Sequence, residues 1–265
     1  MNTNKRLKVF IFICLFFTCT MVLTGKKYVN FKRKVVNMQT VCWDFYTICI
    51  LQEEDKRVID NYVAYNKRDK PLGSWRMAFL YEKYQIGNRG TAWPDPAKNR
   101  WLEGGELFGK YWDPFKSWNE EPNYSYHCEY LCWNDDPRSP HYNETSVMAI
   151  VGVGTAFETL QTVKDQNDYD SKADECSSAI LFVEAINSGI HWGQPGDFDI
   201  ETVTKEQLFP GDTKKILIAF ADRSVWYIER TVPMEILKCF MTIESSKEHD
   251  REKELAPYGR KVAFA

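Results

Sequence analysis

The chain has 265 residues, room for one large domain or two small ones. It is 44% hydrophobic and 27% charged, a globular composition that excludes a disordered chain. Net charge is −3, but residues 1–37 hold eight basic side chains and no acidic one, while the rest holds 26 basic against 37 acidic, a net of −11; nothing in that acidic body reads as a nucleic-acid footprint, and the basic start points to a membrane-proximal end.

The chain opens on Lys5, Arg6 and Lys8, followed by the uncharged run VFIFICLFFTCTMVL from Val9 to Leu23. That run has the length of a signal-peptide core, ~7–15 residues, and falls short of the ~17–25 of a membrane span. No Ala-x-Ala cleavage site closes it. Leu7 to Gly25 gives 19 residues, enough to cross with Lys8 and Lys26 snorkelling. An uncleaved anchor in the lipid bilayer through residues 7–25 is therefore expected in preference to a cleaved signal. Basic clusters on both sides suit lipid head groups better than a buried core helix. Three basic residues precede the run and five follow it closely, so the positive-inside rule leaves the orientation open.

Tyr28 to Tyr65 predicts one or two helices forming a stem, with a charged turn from Gln52 to Arg57. Pro71-Leu72-Gly73 punctuates. Ser74 to Tyr84 predicts a helix capped by Ser74. Gly87 to Pro140, rich in Gly, Pro, Asn and Trp, reads as irregular with short helices near Leu107. Ser146–Gly152 and Ala179–Ile186 are apolar and β-prone. Lys215–Ala221 and Ser224–Arg230 flank Asp222-Arg223 as a hairpin. Pro233 opens a short amphipathic helix to Met241, and Ser245 to Glu254 reads as a solvated tail or frayed helix. Helices first and strands later predict an α+β fold. The expected divisions are an anchor (1–25), a helical stem (26–70), an α+β domain (71–245) and a charged tail (246–265).

Eight cysteines are present. Cys14 and Cys19 lie in the apolar run. Cys42, Cys49, Cys128, Cys132, Cys176 and Cys239 lie beyond it and can pair if the body is outside the cytoplasm, with connectivity left open by spacing. Cys128-x3-Cys132 with His127 and His141 supplies only one tight pair where structural zinc uses two, which favours a disulfide or a buried thiol. His191 in Ser188-Gly189-Ile190-His191-Trp192 has Glu184, Asp197 and Asp199 nearby. Scattered acids around one His lack ligand spacing, so this segment is expected to brace a loop after a strand. Gly152-Val153-Gly154-Thr155 lacks the third glycine and the lysine of a phosphate loop, and reads as a turn at a strand end. Trp93, Trp101, Trp112, Trp118 and Trp133, with Asn119 and Asn123, read as rings packed where regular structure is sparse, in preference to a glycan surface. No Ser-His-Asp or Cys-His set assembles. No metal or cofactor is expected, and the chain is not expected to be an enzyme.

Several stretches carry a resemblance. They are Ser74-Trp75-Arg76 with Leu80-Tyr81-Glu82; Tyr111 through Trp118-Asn119 to Asn123, then Tyr130-Leu131-Cys132; and Ala149 to Phe157. Next come Ile180 to Glu184 with Ser188-Gly189-Ile190-His191-Trp192, Pro195, Asp197 and Asp199, and then Phe220 to Val225. From about Ser74 to Ser245 their order and spacing resemble a bacterial family of pilin-like proteins of unknown function, expanded in planctomycetes, with a prepilin-type cleavage and methylation segment. The resemblance implies an N-terminal hydrophobic helix on a pilin-like antiparallel sheet with a closing helix, displayed from the inner membrane with an extracytoplasmic head. It also implies other envelope or pilin-like subunits as partners, and structural roles for Trp75, Ser188, Gly189, His191, Trp192 and Asp222. It further suggests that Cys132 pairs with a stem cysteine, Cys42 ahead of Cys49; closing a loop of ~90 residues would contribute ~4 kcal/mol. Two features depart from the pattern. The apolar segment holds no acidic residue and no cleavage signal precedes it, which favours, as the alternative, a glycan- or peptide-binding module that does not polymerise. The hairpin reads Asp222-Arg223 in place of Asp-Gly, which predicts a different or looser turn.

Overall fold

The computed structural model describes residues 28–46, 49, 63–65, 71–77, 117–121, 123–125, 127–163 and 166–262. The expected anchor, the Gln52–Arg57 turn, most of the Ser74–Tyr84 helix and the region near Leu107 lie largely or wholly outside them. Among the described residues no helix is long and apolar enough to cross a membrane. The chain divides into two compact units, the first ending at Asn37 and the second starting at Met38. In the first, residues 28–37 are helical.

The second unit begins with a helix, α1, residues 38–46. The sequence predicts a helical stem as far as Tyr65, but Val63–Tyr65 is strand β1, paired antiparallel with β2, Pro71–Ser74. Val and Tyr favour extended backbone, and Pro71 and Gly73 disfavour helix, so a local hairpin wins over the stem. Ser74 acts as the predicted cap: its Oγ accepts from the Arg76 N–H at 3.3 Å and residues 75–77 turn helically.

The body is a mixed α+β fold around a six-stranded sheet. Its strands are β3 (Val147–Val151), β4 (Ile180–Glu184), β5 (Phe198–Asp199), β6 (Lys215–Phe220), β7 (Val225–Glu229) and β8 (Gly259–Lys261), in the order β5-β3-β4-β6-β7-β8. β5 joins β3 in parallel and every other pair is antiparallel. All five residues of β3 and of β4 are buried, as expected for central strands covered on both faces. One face carries Met148, Ile150, Val183, Ile216, Ile218, Trp226 and Ile228 under Leu208, Phe209, Leu237, Phe240 and Leu255. On the other, Phe182 meets Phe45 of α1, Trp75 and Phe157, with ring centroids 5.1–6.0 Å from its own.

Besides the helical residues 75–77, the helices among the described residues after α1 are α2 (Ala156–Gln161), α3 (Gln166–Cys176), α4 (Lys205–Leu208), α5 (Met234–Lys238), α6 (Ile243–Glu248) and α7 (Arg251–Leu255). α5 lies where the sequence predicts a helix to Met241, but it ends at Lys238, two further helices and a strand follow it, and Pro233 is its N-cap rather than inside the first turn. The supposed charged tail is folded. Thr242 and Asp250 cap α6 and α7 through bonds to the Ser245 and Lys253 N–H groups, Leu255 is fully buried, and β8 extends the sheet. Glu252 and Lys253 are exposed, whereas Arg251 turns in over the Phe220 ring and onto Asp222, and Leu255 anchors α7.

The hairpin between β6 and β7 explains the missing glycine. The Arg223 N–H donates to Phe220 O at 2.9 Å and the Phe220 N–H to Ser224 O at 3.0 Å, which closes a three-residue loop with Arg223 at φ 67°. Such a loop ends in one left-handed residue, where the two-residue turn of an Asp-Gly pair needs two. Arg223 bears the strain and lays its guanidinium 4.0 Å from the centroid of the Trp43 ring.

Candidate functional site

The segment from Ser188 to Trp192 is tied down at every polar atom the sequence offered for chemistry. Gly189, at φ 69°, turns the chain after β4. Glu144 and His191 then form an antiparallel bridge. The Thr145 N–H donates to Ile190 O at 2.8 Å and the Trp192 N–H to Asn143 O at 2.9 Å. Ser188 Oγ donates to Thr145 O at 2.9 Å, and the Gly189 N–H reaches Glu144 Oε2 at 3.0 Å.

His191 is engaged on both sides of its ring. The Gly193 N–H donates to Nδ1 at 3.2 Å, so the neutral ring carries its proton on Nε2 and donates it to Tyr124 O at 3.1 Å. The ring stacks on Tyr124 with centroids 5.4 Å apart and lies beside Trp118. Burial holds the imidazole below its ordinary pKa, against a small opposing effect of the Tyr124 bond. Its acidic neighbours in sequence are occupied elsewhere. Glu184 accepts from the Leu217 N–H at 3.0 Å, and Asp199 from the Glu201 N–H at 2.8 Å. His191→Ala is therefore expected to cost about 1–3 kcal/mol by leaving main-chain partners unpaired. Thermal melts should show the same loss with chelator and with added zinc.

Asp197 anchors a buried tie that links β2, the strand core and this loop. Arg76 is fully buried and places Nη2 2.5 Å from Asp197 Oδ1. Its Nε donates to Val147 O, and Nη2 also to Gly196 O, each at 3.0 Å. Asp197 accepts in addition from the Ala149 N–H at 2.8 Å and from Trp75 Nε1 at 3.1 Å. Burial works against both charges, raising the Asp197 carboxyl and lowering the Arg76 guanidinium, while pairing and hydrogen bonds oppose it. Beside the tie the Ser74 N–H donates to Gly193 O, and a Cβ on Gly73 would stand 2.7 Å from that oxygen. Only glycine permits the approach.

Asp222 fixes the hairpin. Its Oδ1 accepts from the Ser224 N–H and Oγ, and its Oδ2 lies 2.7 Å from Arg251 Nη2. Burial pushes its carboxyl up, but the bonds from Arg251 and Ser224 together outweigh it and hold the pKa below the usual value. A carboxyl depressed in the folded state stabilises above its unfolded pKa and loses that contribution as pH falls through its folded pKa. Stability should thus drop on acidification below about pH 4. Asp222→Asn should remove that portion of the slope in urea titrations run across the window.

The expected Cys42–Cys132 disulfide is not formed, and no disulfide joins the described cysteines. Cys42 lies among the charges of Asp222 and Arg223, at the end of the sheet where Ile180 pairs with Phe220. Cys132 lies beside Cys128, Arg76 and Glu144, next to Leu131, whose carbonyl takes the Ser146 N–H near the Glu184 end. Burial raises the thiols of Cys42, Cys49 and Cys132 and keeps them protonated.

The remaining motifs are also placed. Thr155 Oγ1 caps α2 by accepting from the Glu158 N–H, and Glu158 Oε2 takes the Gly154 N–H at 3.1 Å, so the glycine turn is closed by its own helix. Trp133 is buried, with Nε1 donating to Tyr130 O at 2.8 Å; Trp93, Trp101 and Trp112 lie outside the described residues. His127 and His141 face Asn143 and Glu144 rather than the Cys128 and Cys132 thiols. Sequence reasoning placed Asp197 among the acids near His191 and Arg76 in a resemblance, but could not join the two, because no local spacing connects residues 121 positions apart. Compared with protein-family models, curated proteins and solved structures, the chain matches none.

Proposed function

We propose that the chain is a membrane-anchored, pilin-like structural or interaction protein of the cell envelope, and not an enzyme. Residues 7–25 hold it in the inner membrane, and the α+β body stands outside the cytoplasm as a surface for other envelope or pilin-like subunits. The observation that carries this reading is the uncharged run from Val9 to Leu23, set between basic clusters and joined to a body of net charge −11. Two features of the body support it. Phe45 of α1 packs against Phe182 of the sheet, as a pilin-like helix-on-sheet plan requires. The side chains best suited to acid–base work, His191 and its neighbouring carboxylates, are bonded to main chain or to Arg76. The lack of an acidic residue in the apolar run favours one second reading, a glycan- or peptide-binding module that does not polymerise.

Deleting residues 1–25 tests the anchor. The full chain should sediment with membranes and the deletion should appear in the supernatant as folded protein. A folded deletion that stays with the membranes would remove the basis of the proposal.

A further inference from the structure

We infer that Cys239, His249 and Glu254 form a zinc site where three short helices meet. Their sulfur, nitrogen and carboxylate-oxygen donors all lie within 4.8 Å of one another. Each is held in place by its chain neighbours. Cys239 is the C-cap of α5, with its N–H bonded to Glu235 O and Leu237 O, and the next residue, Phe240, is fully buried. His249 is the C-cap of α6, its ring edge-on to Phe240 with centroids 6.1 Å apart. Glu254 lies in α7, immediately before the fully buried Leu255. Three separate elements thus converge three donors, and the core behind them fixes where the backbone sits.

The donor set selects the ion. One thiolate, one imidazole and one carboxylate suit borderline-soft zinc, whereas calcium and magnesium take oxygen donors. Zinc bonds of ~2.0–2.3 Å in a tetrahedron put ligand atoms about 3.3–3.6 Å apart. His249 Nδ1 stands 2.9 and 3.1 Å from the two Glu254 oxygens, so that pair needs to open by only a few tenths of an ångström. Cys239 Sγ, now 3.2 Å from Glu235 O, swings in by side-chain rotation. His249 and Glu254 are 32% and 26% exposed, which leaves an entry path and a fourth position for water. On binding, Cys239 releases its thiol proton to solvent. The hydrogen between His249 Nδ1 and Glu254 moves to His249 Nε2, where it no longer opposes the ion. The site would pin the ends of α5, α6 and α7 together. It stands apart from His191 and does not depend on the membrane anchor.

The test uses the full chain in detergent, stripped with chelator and titrated with zinc against a competing chromophoric chelator. One zinc per chain is expected, with an upward shift in melting temperature. His249→Ala and Glu254→Gln should each weaken binding at least tenfold and lose the shift, while His191→Ala keeps both. Cobalt in place of zinc should give the near-ultraviolet sulfur-to-cobalt charge-transfer band, absent from Cys239→Ser. That band is read on the unaltered protein and so does not depend on a variant folding. A wild-type protein that takes up no zinc, a cobalt form without the thiolate band, or undiminished zinc in a folded His249→Ala would each overturn the assignment.

Discussion

Asp197→Ala is expected to lower unfolding stability by about 3–5 kcal/mol, because it leaves a fully buried guanidinium without its counter-charge. The same change strips the acceptor from the Ala149 N–H in β3 and from Trp75 Nε1. Urea unfolding of the full chain in detergent measures it directly. A buried ion pair is not stabilising as such, since desolvation of both ions offsets most of the attraction. The double variant Arg76→Met, Asp197→Leu should therefore recover a large part of the loss. A single substitution costing less than about 1 kcal/mol would mean that water reaches Arg76 and the tie is not buried.

Trp192→Ala should cost a comparable ~3–5 kcal/mol, through the volume of a ring with no exposed surface. Trp192→Phe should cost much less, because it leaves a smaller cavity. The segment around it is held to residues 143–145 by main-chain bonds, so the loop has no ready way to collapse into the space. If the Ala variant melts within a degree or two of wild type, the loop repacks freely and Ser188–Trp192 does not brace the sheet.

Strands β3, β4, β6 and β7 are readable from sequence because each is a run of apolar or β-branched residues bounded by turn formers, and central strands are buried on both faces. Elements that depend on tertiary partners are not. α3, QNDYDSKADEC, has no apolar period and presents Tyr169 and Cys176 to the interior as isolated points. β8, Gly-Arg-Lys, is a strand only because β7 offers it an edge. α6 and α7 look like a solvated run in sequence because their charges outnumber the two apolar residues, Ile243 and Leu255, that they bury. That the chain turns at Ser188–Trp192 is readable from its setting after a strand. Its reach to Tyr124 and Asn143 is not, since those contacts come from a region without periodicity. The converging Cys239, His249 and Glu254 are invisible for the same reason: their spacing of ten and five residues matches no metal motif and becomes meaningful only once three helix ends meet.

The fate of the N-terminal segment decides whether this protein is an envelope component. Fractionation of cells, with N-terminal sequencing of the mature protein, reads it in one experiment. A protein recovered in the inner-membrane fraction with residues 7–25 intact is the predicted result. A mature chain that begins beyond Gly25 and partitions into the soluble fraction would contradict it.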